Sequence, residues 1–297
     1  MIYGRQIVLL EMLRQAGRPL GKTQLMKLLF LLKTEQTIDR YIPFYDFVPY
    51  KHGPFSFVIY RDLDYLEAHG LVETASERVV CTGRGLRGES LPATLARMVE
   101  ATVSKYGRLP LKRLVDYVYT TYPWYASRSE LGPRAGKARV ARTARAVYTI
   151  GYEGMSIDEF LAVLLRKGIR RIIDTRNSPL SRKYGFSAET LQRRCEEFGV
   201  EYCGFPQLGI PSTVRHRATG EESLWGYYRR TVISKSDSVL AIVSSACLEA
   251  PSALLCFESD PRECHRHILA GSISDRTDLP IIHFRREKRK WLKECAS

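Results

Sequence analysis

The chain has no apolar run approaching the roughly twenty residues of a membrane-spanning helix, so a helical membrane protein is excluded and no membrane partner is expected. Its first residues lack the basic region, apolar region and cleavage site of a secretory signal, which makes a cytoplasmic protein the expectation. No Cys-x-x-Cys pair is present, and the seven cysteines form an odd set scattered over both halves. That pattern speaks against a disulfide scaffold and for a reducing compartment. Acidic residues are the scarcer charge, 32 against 46 lysines and arginines. Apolar residues are not scarce: at 44% of 297 they exclude disorder and can fill two cores of ordinary size.

The net charge of +14 points to a polyanionic partner such as nucleic acid. Residues 1–146 hold 23 Lys or Arg against 13 Asp or Glu, whereas residues 147–297 hold 23 against 19. The excess gathers in the first part and in a stretch carrying Arg128, Arg134, Lys137, Arg139, Arg142 and Arg145 against Glu130 alone. With no apolar period, residues 128–146 read as a basic linker, either a strap that contacts phosphates or a solvated connector. Residues 1–127 and 147–297 are then the two expected domains.

In the first domain Ile7, Leu9, Leu10 and Leu13 recur with helical spacing up to Gly17, and residues 22–33 form a strongly apolar second helix. A third helix is expected over residues 58–69, stopped by Gly70, with a hairpin from Leu71-Val72-Glu73 to Arg78-Val79-Val80-Cys81. Helices followed by a short hairpin outline a winged helix. Lys27-Leu28-Leu29-Phe30, the run from Phe47 to Ser56 and Leu63-Asp64-Tyr65-Leu66 resemble winged-helix-like domains of some antitoxin and phage-defence proteins. Residues 91–106 and 109–122 read as further helices.

From Ala146 the pattern changes. Strands are expected at residues 147–150, 171–174, 200–203, near Leu254 and at 280–284, with helices between them, several begun by Ser caps and stopped by Gly. Such alternation predicts an α/β domain with a mostly parallel, Rossmann-like sheet and a site in the loops at the carboxyl ends of its strands. Those loops hold Tyr152, Glu153, Asp174, Arg176, Arg182, Gln207, Glu258, Cys264, His265 and Arg266.

The stretch 253–270 organises the rest. A short apolar strand meets Ser259, Asp260 and Pro261, which supply cap and first-turn chemistry for a helix beginning near Pro261. Cys264 would then lie about one turn into that helix, where backbone N–H groups and the dipole favour a thiolate. Cys256, inside the strand, reads as a small core residue. A metal reading would draw on Cys264, His267 and Cys256, but without a Cys-x-x-Cys pair neither metal nor cofactor is assigned. The Cys-x5-Arg spacing from Cys256 to Arg262 matches phosphate-cradling loops, yet Glu258 and Asp260 would place carboxylates in the cradle.

Thr149-Ile150-Gly151-Tyr152-Glu153-Gly154, Asp174-Thr175-Arg176 with Pro179 and Ser181-Arg182, Phe186-Ser187, Gln207-Leu208-Gly209, and Leu255-Cys256-Phe257-Glu258 with Cys264-His265-Arg266 together resemble the family called domain of unknown function 488. The resemblance spans residues 147–285, departs at Ile210 where a second Gly is usual, and implies a Rossmann-like domain working near nucleic acids. The Cys-His-Arg run is also similar to that of alkylguanine-DNA alkyltransferases, whose Cys accepts an alkyl group. The expected function is an enzyme that acts on a base or nucleotide of DNA, by base removal or alkyl transfer, in repair or phage defence. Cys264 would be the nucleophile, His265 its base or cation, and Asp174 or Glu258 a proton carrier. Arg176, Arg182 and Arg266 would bind phosphate, with Tyr152, Glu153 and Gln207 lining the substrate. The rival expectation is a DNA-binding regulator whose α/β domain senses a small ligand, a metal or an oxidant.

Overall fold

The computed structural model describes residues 2–83, 91–131, 143–217, 221–284 and 286. The chain divides into two compact units between residues 138 and 139. Arg134, Lys137, Arg139 and Arg142 of the basic linker lie outside the described residues.

In the first unit the chain runs α1 (Gly4–Ala16), β1 (Leu20–Gly21), α2 (Lys22–Gln36), β2 (Val48–Tyr50), β3 (Gly53–Phe55), α3 (Phe57–Ala68), β4 (Val72–Ala75), β5 (Arg78–Cys81), α4 (Ala93–Tyr106), α5 (Leu111–Thr121) and α6 (Pro123–Ala126). Gly17 ends α1 in the left-handed region (φ 63°), which a glycine adopts without strain. Leu25, Leu28, Leu29, Phe30, Leu31 and Leu32 are fully buried, so α2 is apolar all round and forms the centre of this unit's core. The sequence places the second hairpin correctly. Ser76 and Glu77 join β4 to β5 with φ of 47° and 63°, the geometry that follows strand twist in a two-residue turn, and β1 pairs with β5. Gln24 and Lys27 are the polar residues among the buried positions of α2, and Lys27 is the charged one. It is fully buried, donates to the carbonyls of His52 and Pro54, and borders a cavity of about 170 Å³ lined also by Lys22, Tyr50, Lys51 and Phe55.

The second unit is mixed α/β. Its order is β6 (Val147–Gly151), α7 (Ile157–Arg166), β7 (Arg171–Asp174), α8 (Ala188–Glu197), β8 (Glu201–Gly204), α9 (Ser212–Arg217), α10 (Glu221–Tyr227), α11 (Asp237–Glu249), β9 (Ser252–Cys256), α12 (Arg266–Thr277) and β10 (Ile281–Phe284). Five strands make one sheet in the order β10-β6-β9-β7-β8, every pair parallel. All five residues of β6 and of β9 are buried, as central strands covered on both faces require. Burying a leucine such as Leu254 or Leu255 is worth about 1.5–3 kcal/mol, so β9 is a principal source of this sheet's stability. Ser156 caps α7 by accepting from the Glu159 N–H at 3.0 Å, as its sequence position foretells.

This strand order decides where a site can lie. After β9 the chain crosses back over β6 to β10, whereas after β7 it moves outward to β8. With right-handed crossovers the two connections leave on opposite faces, opening a crevice at the carboxyl ends of β9 and β7. No single described helix is long and apolar enough to cross a membrane.

One local expectation is corrected. No helix runs from Pro261 through Cys264: Pro261–Glu263 is a single 3-10 turn, capped by Asp260, and Cys264 is extended at φ −134°, ψ 139°. The helix α12 starts only at Arg266. Cap and proline chemistry do begin a turn, but the chain extends at Cys264, whose buried side chain meets Cys256, so the helix-terminus argument for its thiolate fails.

Candidate functional site

Cys256 is the last residue of β9, in register with Gly151 of β6, while Asp174 of β7 pairs with Leu255. Thr175 therefore follows on the flank of Cys256, held by its N–H and Oγ1 donating to the Leu255 carbonyl at 3.1 and 2.9 Å. The turn after β9 returns Cys264 and His265 to the same spot. His265 Nδ1 lies 3.8 Å from Cys256 Sγ and 3.9 Å from Cys264 Sγ. All three ligand atoms fall within 4.8 Å of one another, and all three side chains are 2% exposed or less. Nε2 of the same ring faces two oxygens, Thr175 Oγ1 and the Thr175 carbonyl, both at 3.2 Å. A carbonyl can only accept, so Nε2 is the donor to Thr175, and Nδ1 is turned toward the sulfurs.

Glu258 edges this cluster. Its Oε2 accepts from Cys256 Sγ at 3.1 Å and its Oε1 from Arg215 Nη1 at 2.7 Å. Burial pushes the carboxyl pKa up, but hydrogen bonds from Cys264 and Arg215 outweigh it and hold the value at about 2. Glu258 is thus ionised at neutral pH. For Cys256 the hydrogen bond with Cys264, then burial, raises the thiol well above its usual range, despite the lowering influence of His265.

Asp174 stands in a second, adjacent cluster. Its two oxygens take a bidentate bond from Arg176 at 2.5–3.0 Å and one from Tyr202 OH at 2.6 Å. Arg176 also donates to Tyr152 OH and to the Phe186 carbonyl, and Tyr152 stacks on Phe186 at 4.2 Å. This buried pair is saturated by protein groups and fixes the start of the loop after β7. Arg266 is likewise fully buried, giving its guanidinium to the carbonyls of Glu258 and Ser259, while Glu153 accepts from the Ser259 N–H at 2.9 Å. These two side chains hold the 258–260 turn. Gly151 lets it come close, since a Cβ there would sit 1.7 Å from the Glu258 carbonyl oxygen. Gln207 and Arg182 are exposed.

Of the residues read from the sequence, Cys264, His265 and Glu258 come together, and Asp174, Arg176 and Tyr152 form the neighbouring scaffold. Three further members are not among the candidate site residues. Cys256 reads as core and enters only the metal alternative, Thr175 reads as part of a loop motif, and Arg215 lies on the short α9 outside the motifs. The available signal was the parallel register, which puts the residues just after β7 beside the last residue of β9. His267 is turned elsewhere: its Nδ1 bonds the Cys264 carbonyl at 2.6 Å and its ring meets Trp225 edge-on.

No curated protein and no solved structure matches the chain. A family model described as domain of unknown function DUF488 does match, over residues 156–273, from the cap of α7 into α12. The segment that carries Thr175, Arg215, Cys256, Glu258, Cys264 and His265 is therefore similar to the DUF488 domain.

Proposed function

We propose that the chain is an enzyme acting on a base or nucleotide of nucleic acid, DNA foremost, with its chemistry at the crevice between β9 and β7. The observation that carries this reading is the convergence there of two thiols, an imidazole and an ionised carboxylate, partnered by an arginine. Glu258 is suited to steadying a developing sugar cation and orienting a water, because its side chain is 16% exposed and ionised at neutral pH. Cys264 has no exposed surface, which disfavours alkyl transfer to its sulfur and favours base removal by an activated water. The first unit, with its helices, β4–β5 hairpin and most of the net positive charge, suits a winged-helix-like grip on the polymer. A base would have to leave the duplex to reach the crevice.

The test is release of free base from single-stranded and duplex oligonucleotides bearing normal, alkylated or deaminated bases. Glu258→Gln should lower the rate by at least about 100-fold with the fold retained. No base release from any substrate by the wild-type protein overturns the reading. Clustering of both thiols with His265 favours one alternative, a regulator that senses a metal through them, and DNA binding that changes with metal occupancy would mark it.

A further inference from the structure

We propose that Cys256 Sγ, Cys264 Sγ and His265 Nδ1 form a binding site for one zinc ion. This goes beyond the base-directed reading and does not depend on it.

The first argument is metric. With Zn–S near 2.3 Å and Zn–N near 2.0–2.1 Å, tetrahedral coordination puts ligand atoms about 3.5–3.8 Å apart. Nδ1 stands 3.8 and 3.9 Å from the two sulfurs and all three atoms lie within 4.8 Å of one another, so an ion is accommodated by shifts of at most about an ångström. The second argument is independent of those distances. A metal-bound imidazole needs its other nitrogen protonated and held, and Nε2 is fixed on both oxygens of Thr175. Rigidity is the third: Cys256 is pinned by parallel pairing, and the Arg266 guanidinium anchors the turn that returns Cys264.

Ligand chemistry selects the ion. Two thiolates and an imidazole are soft to borderline donors, which favours zinc over magnesium or calcium. The thiolates neutralise the two positive charges, and Glu258 and Arg215 neutralise each other beside them. Two contacts oppose the site: the Glu258 carboxylate accepts from the Cys256 thiol at 3.1 Å, which favours the protonated sulfur, and Arg215 Nη2 lies 3.5 Å from Nδ1. The Arg215 side chain is 36% exposed and already bound to Glu258, so it can swing clear without breaking a buried pair. Three protein ligands leave the fourth position of a tetrahedral ion to water, with Glu258 as neighbour.

Elemental analysis of the full chain, purified without chelator and dialysed, should give one zinc per chain. Cobalt(II) added to stripped protein should produce the intense visible bands of a tetrahedral ion and a thiolate charge-transfer band. Cys256→Ser, Cys264→Ser and His265→Gln should each abolish stoichiometric binding, while His267→Gln and Cys203→Ser keep it. Thr175→Ala retains all three ligands and should weaken zinc about tenfold or more by loosening the imidazole. Where a ligand variant fails to fold by circular dichroism, the cobalt spectrum of the wild type decides. A folded protein with neither zinc nor the cobalt bands, or binding that survives His265→Gln but not His267→Gln, overturns the site. Base release by metal-free protein would leave the proposed function standing and exclude zinc only from its mechanism.

Discussion

Lys27 in the first unit and Arg176 in the second are both buried cations, but their surroundings differ. Arg176 has a carboxylate at 2.5 Å, a phenol and a carbonyl, and although burial pulls its pKa down, Asp174 raises it above normal. Lys27 has carbonyl partners alone, and burial draws its pKa down to about 7. The Arg176 charge is permanent and its geometry rigid. The Lys27 charge depends on pH, beside a cavity that also presents Lys22, Lys51 and His52. Burial of a charge therefore says little about its role until its partners are known.

The strongest test of that contrast removes the partner. Asp174→Ala leaves Arg176 buried and uncompensated, and should cost about 3–5 kcal/mol in urea unfolding of the second unit. A loss below about 1 kcal/mol would put the two cations in the same class. Lys27→Met sharpens the other side. Since the unfolded lysine holds its proton up to about 10.5 and the folded one only to about 7, the unfolded state binds more protons between these values. Stability of the first unit should accordingly rise with pH across that window, by a few kcal/mol at most, and lose that rise in Lys27→Met. Thermal melts at several pH values read this directly, and an unchanged slope would refute the assigned titration. Tyr202→Phe deletes one neutral donor to Asp174 while the ion pair persists, so about 0.5–1.5 kcal/mol is expected. Arg182→Ala, on an exposed arginine, should change stability by less than about 0.5 kcal/mol.

The same contrast explains what could be read from the sequence. Local signals were legible: Ser156 before α7, Gly17 after α1, the β4–β5 hairpin and the unbroken apolar run of β9 all act within a few residues. The parallel sheet was legible as alternation. Asp174 and Arg176 looked reactive because their type and loop position were visible, whereas Tyr202, Phe186 and Tyr152, which saturate them, arrive from other elements. Cys256 looked inert for the converse reason. Its apolar neighbours in β9 are local, but its thiol meets Cys264 and His265 only because the turn after β9 closes and Thr175 stands on the adjoining strand.

The place of β9 also bears on synthesis. It lies between β6 and β7, yet leaves the ribosome after both of them and after β8. Until residues 252–256 emerge, the nascent chain holds two apolar strands whose facing edges have no mate, a state open to mispairing with other chains. Insertion of β9 closes both edges in one step, and the residue that ends the inserted strand is Cys256. Shortened chains that stop before residue 252 should therefore aggregate, whereas those reaching past β10 stay dispersed.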